Sequence, residues 1–411
     1  MLIGLTSGLS LGALAAAYGG ADAPLVIEGI EALGGLWLNA LRMTVVPLIF
    51  AVLVTGIAGV ADAAATGRLA GRAVTWFVGI LTFSACFSLL FAGAFYALWP
   101  VSEPGAAALR AGVSAAPELT RQAPSFIAFV KALAPPNVLK AASEDAILPL
   151  VVFAGFFGFA VTRLPEARRR GITEFFDSIA DAMVTIVRWV LKAAPVGVFA
   201  LALGVGLRAG VGAVGEIAHY VAAISIGNIA MAVMAYLLAV FVGRVPLAAW
   251  ARAVAPVQVA AFATQSSLAC LPAMIERSRD DLGISDRVTG LVLPLAVALF
   301  RMTGPVANLG VALFVAQIYG IHPTALQFAG AVFLSVATSL ASVSLPGQVS
   351  FLASTAPLCL TLGLPLGLLP ILLAVEVIPD IFRTIGNVTA DMAVTVILGR
   401  REPSTPAASQ A

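Results

Sequence analysis

Four polar side chains recur at helical spacing near the end of the chain, inside a segment that is otherwise apolar. They are Asp380, Arg383, Asn387 and Asp391, with Thr384 next to Arg383. Their separations of three, four and four residues place them on one face of a helix. A charge at the centre of a bilayer costs about 2.5–3.5 kcal/mol, so polar residues at that depth usually line a pathway or a ligand site. The stripe predicts a ligand site; the alternative is that its charges only neutralise one another.

A further charge interrupts an apolar segment at Arg301, which is followed by Gly304 and Pro305. The Gly-Pro pair breaks the helix and frees backbone carbonyls, because proline has no N–H and its ring clashes with the preceding turn. A guanidinium in such a place needs an anion. The candidates are Asp391, Asp380 or a bound ligand.

Two segments, 264–272 and 338–347, place a serine-rich turn and a proline inside a long apolar stretch. The residues at these turns are Ser266 and Ser267 in the first, and Ser339, Ser342, Leu345, Pro346 and Gly347 in the second. Irregular backbone at membrane depth is tolerated only where protein or a wet cavity satisfies it, and paired interruptions of this kind mark transporter binding sites. The alternative is that the serines only let helices pack closely.

The composition places these segments in a membrane. Of the 411 residues, 60% are hydrophobic and 11% are charged, whereas a soluble domain carries about 25% charged residues. So few charges cannot cover a water-exposed surface, so much of the surface must face lipid. The net charge of +2 gives no reason to expect nucleic acid as a partner. The three cysteines lack metal spacing, and two histidines leave little room for acid–base chemistry.

The apolar segments predict an all-α integral membrane protein. Candidate spans of about 20 residues cover 2–20, 34–60, 72–99, 146–163, 180–208 and 217–243, followed by the interrupted stretches 253–275, 286–319, 327–358 and 362–399. Arginine-rich loops are usually cytoplasmic. That rule predicts eight transmembrane helices with two re-entrant hairpins, 253–275 and 327–358, and both termini in the cytoplasm. Stretch 100–145 is expected to be an extracytoplasmic loop with short helices.

Four motifs resemble the dicarboxylate/amino acid:cation symporters, which include the glutamate/aspartate transporters. They are the run 42–50 (Arg-Met-Thr-Val-Val-Pro-Leu-Ile-Phe), Leu271-Pro272 at the first turn, Leu345-Pro346-Gly347 at the second, and the pattern from Asp380 to Asp391. The resemblance implies a homotrimer with an elevator-type fold, in which a transport domain slides against a scaffold. The implied scaffold comprises 1–70 (helices 1–2) and 100–208 (helices 4–5 with the loop). The implied transport domain comprises 71–99 (helix 3) and 209–399, and 400–411 is a cytoplasmic tail.

The resemblance also implies roles for the site residues. Arg383 would hold the side-chain carboxylate of the substrate, and Asp380 its α-ammonium. Thr384 and Asn387 would add hydrogen bonds. Ser266 and Ser267 would meet the α-carboxylate, and Leu345, Pro346 and Gly347 would close the outer gate. The implied substrate is glutamate, aspartate or a C4-dicarboxylate, and Asp380 favours an amino acid. No organic cofactor is expected.

The chain departs from this family at its expected sodium sites. The family's helix 7 usually reads Asn-Met-Asp-Gly-Thr, and here it reads Arg-Met-Thr-Gly-Pro from Arg301. Stretch 76–81 of helix 3 lacks the family's hydroxyl ligands. A residual cation site would use Asp391, Asn387, Ser339 and Ser342. We predict that Arg301 replaces a bound sodium, which leaves proton coupling, weak sodium coupling or exchange; a second possibility is that Arg301 binds substrate itself.

Three rival functions remain at this point. A channel would need a continuous pore, which a single asymmetric cluster does not favour. A sensor would bind the acidic ligand without moving it. A membrane enzyme is disfavoured, since no histidine lies near Ser266 or Ser267 in the sequence. The abundance of alanine, and of arginine over lysine, favours a bacterial source and hence the inner membrane.

Overall fold

The computed structural model describes residues 2–18, 23–65, 67–112, 137–143, 147–209, 212–341 and 347–400, and these ranges contain helices and no strand. The first eight helices are α1 (Leu2–Tyr18), α2 (Ala23–Ala65), α3 (Arg68–Leu98), α4 (Glu103–Gly112), α5 (Val138–Ser143), α6 (Ile147–Thr162), α7 (Glu166–Lys192) and α8 (Ala194–Ala209). The remainder are α9 (Gly212–Leu237, continued by a π-helical turn, Leu238–Val242), α10 (Leu247–Thr264), α11 (Ser267–Asp280), α12 (Asp286–Leu299), α13 (Gly304–Tyr319), α14 (Ala325–Ala341), α15 (Gly347–Thr361), α16 (Leu369–Val375) and α17 (Val377–Gly399).

Several of these helices are long and apolar enough to cross a bilayer, as expected of a multi-pass membrane protein. Within the described residues they are Arg68–Leu98, Val214–Val242, Leu247–Thr264, Asp286–Tyr319 and Val377–Gly399. A bent pair, α7 with α8, would make a sixth, and α1 and α6 contain shorter apolar helices. The count of eight spans stays a prediction. So does the re-entrant character of 253–275, because α10 alone is long enough to be a span.

One predicted span, 180–208, is not a straight helix. The chain bends by 59° between α7 and α8. Pro195 lies just after the bend and has no N–H to donate to the preceding turn. The N–H of Ala193 donates to a carbonyl of that turn instead. The amphipathic α7 and the apolar α8 therefore run in different directions.

Helix α1 packs very closely on α8. Gly4, Gly8 and Gly12 recur every four residues and face the backbone of α8, where Gly206 in turn faces α1. A Cβ at Gly8 would lie 2.6 Å from the carbonyl oxygen of Phe199. Small residues at this spacing let the two backbones approach, which is how helices associate where both faces are apolar.

Helix α17, which carries the polar stripe, lies at the centre of a bundle. It contacts α9, α10, α11, α12 and α3. Of the candidate spans it is the most buried, with 83% of its apolar window inside the protein. The stripe therefore faces protein and any cavity within it, and lipid cannot be its main contact.

Two helical pairs flank this bundle. Helices α10 and α11 pack on each other and both contact α17; α14 and α15 pack on each other and both contact α13. Gln265, with φ of 51°, and Ser266 join the first pair. The turn of the second pair, 342–346, lies outside the described residues.

The buried apolar side chains form two clusters. One joins α1, α2 and α8 to α13–α16, the other centres on α10–α12 and α17, and α3 and α9 contribute to both. This division does not follow the predicted boundary between scaffold and transport domain. The domain boundaries stay a prediction. The tail beyond Arg400 and most of the 100–145 loop, 113–136, lie outside the described ranges.

Candidate functional site

The polar stripe of α17 is buried along its whole length. Exposure falls from 9% at Asp380 through 5% at Arg383 and 2% at Asn387 to 0% at Asp391. Thr384 is 5% exposed and donates its hydroxyl to the Asp380 carbonyl at 2.9 Å. The charges are therefore in a medium where ion pairs are strong and an unpaired ion is costly.

Arg383 lies between two carboxylates. Its Nη2 pairs with Glu376 Oε1, and its Nη1 lies 3.5 Å from Asp380 Oδ1. Glu376 is 2% exposed, and its other oxygen accepts a hydrogen bond of 2.6 Å from the Tyr220 hydroxyl. Among the described residues, Arg383 Nε has no hydrogen-bond partner. The guanidinium is thus held by carboxylates and keeps a donor for a further acceptor.

Glu376 and Tyr220 were not predicted from the sequence. Glu376 lies four residues before Asp380, so it extends the stripe by one turn, and a search that began before Val377 would have found it. Tyr220 gives no such signal, because 156 residues separate it from Glu376 and only the packing of α9 on α17 brings them together.

Asn387 is held by the break between α12 and α13. Its side-chain oxygen accepts from the Thr303 backbone N–H at 3.0 Å and lies 2.8 Å from the Thr303 hydroxyl. That hydroxyl is also 3.0 Å from the Arg383 carbonyl. Thr303 therefore occupies the oxygen of Asn387, and the amide nitrogen is the part left for a ligand.

Two carbonyls at and just after the break accept hydrogen bonds from α3. Ser84 donates to the Met302 carbonyl at 2.6 Å, and Ser88 donates to the Val306 carbonyl at 3.3 Å. Stretch 76–81, which lacks the hydroxyl ligands of the family, contributes an aromatic contact to the break. The ring of Phe77 stacks on Phe300 with the ring centres 4.7 Å apart. The α3 hydroxyls that reach the break, Ser84 and Ser88, lie about one to two turns after that stretch.

Arg301 is half-buried within the break. The nearby charges that act on it are Asp380 and Asp391, which attract it, and Arg383, which repels it. It makes no ion pair within 4 Å among the described residues. Both candidate anions named from the sequence are therefore its neighbours, and its side chain is not committed to either.

The burial of Asp391 and the lack of partners for its carboxylate suit the binding of a cation. Asp391 is fully buried, and neither of its oxygens has a hydrogen-bond partner among the described residues. Hard cations need several oxygen ligands. Thr303 already engages the Asn387 oxygen, and serines of α3 engage the Met302 and Val306 carbonyls. Among the described residues, these three oxygens are therefore already hydrogen-bonded.

The serine turns make few contacts with the polar stripe among the described residues. Ser266 caps α11 by accepting from the Ala269 N–H at 3.3 Å, and it is half-buried, as is Ser267. In the described part of the chain neither serine bonds to Arg383. Ser339 lies beside the break, since a Cβ at Gly304 would be 2.9 Å from its hydroxyl. Ser342, Leu345 and Pro346 lie outside the described residues, and Gly347 begins α15.

Comparison with known proteins gives a consistent result over the whole chain. The sequence model of the sodium:dicarboxylate symporter family matches residues 1–401. The proton/glutamate-aspartate symporter of Escherichia coli (strain K12) is 26% identical over 407 residues, covering 98% of this chain and 92% of that protein. The proton/sodium-glutamate symport protein of Bacillus subtilis (strain 168) is 27% identical over 420 residues, covering 98% and 92%.

A second group of relatives is similar to the same degree. The C4-dicarboxylate transport protein of Azorhizobium caulinodans is 27% identical over 383 residues, covering 91% of this chain and 83% of that protein. All of these relatives are transport proteins, and the chain is a secondary transporter rather than an enzyme. The predicted resemblance is confirmed: the chain belongs to the sodium:dicarboxylate symporter family.

Proposed function

We propose that this secondary transporter carries an acidic amino acid, glutamate or aspartate, or a C4-dicarboxylate, and that Arg383 binds the substrate carboxylate. The observation that carries the proposal is a buried guanidinium on α17 whose two contacts are carboxylates and whose Nε is free among the described residues. A planar guanidinium binds a carboxylate through two parallel hydrogen bonds, and burial strengthens that pair.

The neighbouring groups suit the other end of an amino acid. Asp380 is buried and loosely paired, so it can accept the α-ammonium. Thr384 and the amide nitrogen of Asn387 would add hydrogen bonds. Ser266 and Ser267, at the start of α11, would meet the α-carboxylate, helped by the positive end of that helix. Leu345, Pro346 and Gly347 would close the outer gate.

The proposal for the coupling ion rests on the position of Arg301. We propose that its charge takes the place of a sodium ion near Asp391, so that transport depends on protons or exchange, with weak sodium coupling. The occupied oxygen of Asn387 supports this, as does the use of the Met302 and Val306 carbonyls by serines. Any remaining sodium site would combine Asp391 with Ser339 and Ser342. The second candidate role for Arg301, direct contact with a substrate of higher charge, is supported by its freedom from ion pairs among the described residues.

The movement and assembly are carried over from the family resemblance. The protein would work as a homotrimer in the bacterial inner membrane, with both termini in the cytoplasm. The transport domain, 71–99 with 209–399, would slide against the scaffold in an elevator motion, with 253–275 and 327–358 as re-entrant hairpins.

Uptake by purified protein in lipid vesicles tests the proposal. Labelled aspartate, glutamate, succinate, malate and a neutral amino acid are compared, with sodium present or replaced by choline. We expect saturable, stereoselective uptake of an acidic substrate that continues in choline. Arg383→Gln should abolish it, whereas Arg287→Gln, which changes an exposed arginine, should not.

Three outcomes would overturn parts of the proposal. Complete loss of uptake in choline would refute the reduced sodium coupling. Tight binding of an acidic ligand without uptake would indicate a sensor, and non-saturable flux would indicate a channel. Arg301→Asn separates the two roles of Arg301: a changed ion dependence supports the tethered cation, and a changed substrate preference supports direct contact.

A further inference from the structure

Glu376 lies at the junction of α16 and α17, where it connects Arg383 to Tyr220. One oxygen pairs with Arg383 and the other accepts the Tyr220 hydroxyl at 2.6 Å. We propose that Glu376 is the proton carrier of this transporter: it holds Arg383 in the empty site, and it takes up one proton when the substrate carboxylate displaces it. This inference rests on the proposed role of Arg383.

The count of charges in the site favours such a group. The described residues bring together two arginines, Arg301 and Arg383, and three carboxylates, Glu376, Asp380 and Asp391. With ordinary ionisation the empty site therefore carries one excess negative charge. An acidic amino acid brings another, into a place where unpaired charge is strongly disfavoured. One proton on Glu376 returns the site to its starting charge.

Glu376 suits this role better than the other two carboxylates. Asp380 must stay charged to hold the α-ammonium, and Asp391 has no contact with Arg383 among the described residues. Glu376 gives up its close ion pair with Arg383 to the incoming carboxylate, whereas Asp380, 3.5 Å from Arg383, gains the α-ammonium in exchange. Tyr220 keeps the second oxygen hydrogen-bonded throughout, so the displaced side chain stays in place.

Few other groups can compete for the proton. The titratable or charged groups that act on Glu376 are Tyr220 from α9, and Arg383 and Asp380 from α17, with Tyr96 of α3 behind Tyr220.

The proton that Glu376 gains on one side of the membrane is lost on the other. A proton from the aqueous solution on the side where substrate enters is taken up by Oε1 as Arg383 moves its hydrogen bonds to the substrate. On the other side, substrate release lets Glu376 lose the proton to water and pair with Arg383 again.

The balance also discriminates between substrates. An acidic amino acid with one proton leaves the charge of the site unchanged. A C4-dicarboxylate with one proton leaves it more negative by one, so it needs a second proton or another cation. We therefore infer that acidic amino acids are the substrates for which one proton suffices.

The test uses the full-length protein in sodium-free vesicles that contain a pH-sensitive dye. With wild-type protein, adding the transported acidic amino acid should acidify the interior by one proton per substrate. Glu376→Gln should abolish acidification and uptake driven by a pH gradient, but keep one-for-one exchange of labelled for unlabelled substrate. Its substrate affinity should no longer vary with pH. The control, Glu216→Gln, removes a buried carboxylate that Ser102 hydrogen-bonds, away from Arg383, and should retain proton movement.

A second variant leaves the carboxylate in place. Tyr220→Phe removes a hydrogen bond that favours the charged form of Glu376, so the pH above which substrate affinity declines should rise by about one unit. This variant also decides the question if Glu376→Gln cannot be purified in folded form. An unchanged pH profile in Tyr220→Phe refutes the inference. So does substrate-driven acidification by Glu376→Gln, or wild-type uptake with no proton movement. If wild-type protein neither binds nor takes up any acidic substrate, the proposed function itself fails.

Discussion

Gly386 lies where α17 passes close to the break before α13, and it offers a sharp test of how the site is held. A Cβ at this position would lie 2.5 Å from Thr303 Cγ2. Ordinary carbon–carbon contact begins at about 3.5 Å, so Gly386→Ala forces α17 and Thr303 apart by roughly 1 Å. Thr303 cannot simply rotate away, because its hydroxyl lies within hydrogen-bonding distance of Asn387 and of the Arg383 carbonyl.

The size of the effect can be worked out from this overlap. Overpacking a buried contact costs about 1–3 kcal/mol. If the displaced Thr303 loosens Asn387 and Arg383 together, the substrate dissociation constant should rise roughly 5- to 150-fold. The substitution also raises helix propensity by about 1 kcal/mol. Gly93→Ala on α3, where a Cβ meets nothing within 4 Å, measures that gain alone and should not change affinity.

The assay is calorimetric titration of the purified variants with the best acidic substrate, with thermal unfolding measured in parallel. A compensating change sharpens it: Thr303→Ser deletes the methyl group that the new Cβ meets but keeps the hydroxyl. We expect Gly386→Ala with Thr303→Ser to recover most of the lost affinity. An unchanged affinity in Gly386→Ala, or no recovery in the double variant, would show that Thr303 does not position the site.

Three further predictions concern other features. Gly8→Ala should destabilise the protein by about 1–3 kcal/mol, since its Cβ would lie 2.6 Å from a backbone carbonyl of α8, whereas Gly35→Ala meets nothing and should lower neither the unfolding temperature nor uptake. Arg301→Asn combined with Thr303→Asp should make uptake sodium-dependent, with roughly tenfold stimulation by sodium, the factor that about 1.4 kcal/mol of ion binding supplies. Vesicle uptake in sodium and in choline measures this stimulation. A double variant whose uptake is independent of sodium would contradict the tethered-cation hypothesis. Ser84→Ala leaves the buried Met302 carbonyl without its donor, so it should cost about 1–3 kcal/mol in thermal unfolding without adding sodium dependence.

The polar stripe could be predicted because its signal is local. Asp380, Arg383, Asn387 and Asp391 follow a helical repeat, and their cost in an apolar segment marks them without any knowledge of the fold. The same is true of the break at Gly304, where a Gly-Pro pair reports an interrupted helix. The family that these residues suggested is confirmed by the match of the family model to residues 1–401.

The partners of these residues could not be predicted, because they depend on packing between distant segments. Tyr220 reaches Glu376 across 156 residues, and Ser84 reaches Met302 across 218. From the sequence, Thr303 could be described only as the residue that stands where the family usually has an aspartate. In the structure it forms its own hydrogen bonds to α17, which is a positive role that a comparison of residue types could not reveal.

The serine contacts from α3 affect the rate at which the empty transporter binds substrate. In a broken helix that relies on metal ions to satisfy its bare carbonyls, the pocket takes shape only after those ions arrive. Here the Ser84 hydroxyl satisfies the Met302 carbonyl in the break from within the chain, and Ser88 donates to the Val306 carbonyl in the first turn of α13. The receptive form should therefore already exist in the unloaded carrier, and substrate should associate in a single kinetic step whose rate is independent of the alkali cation in the buffer.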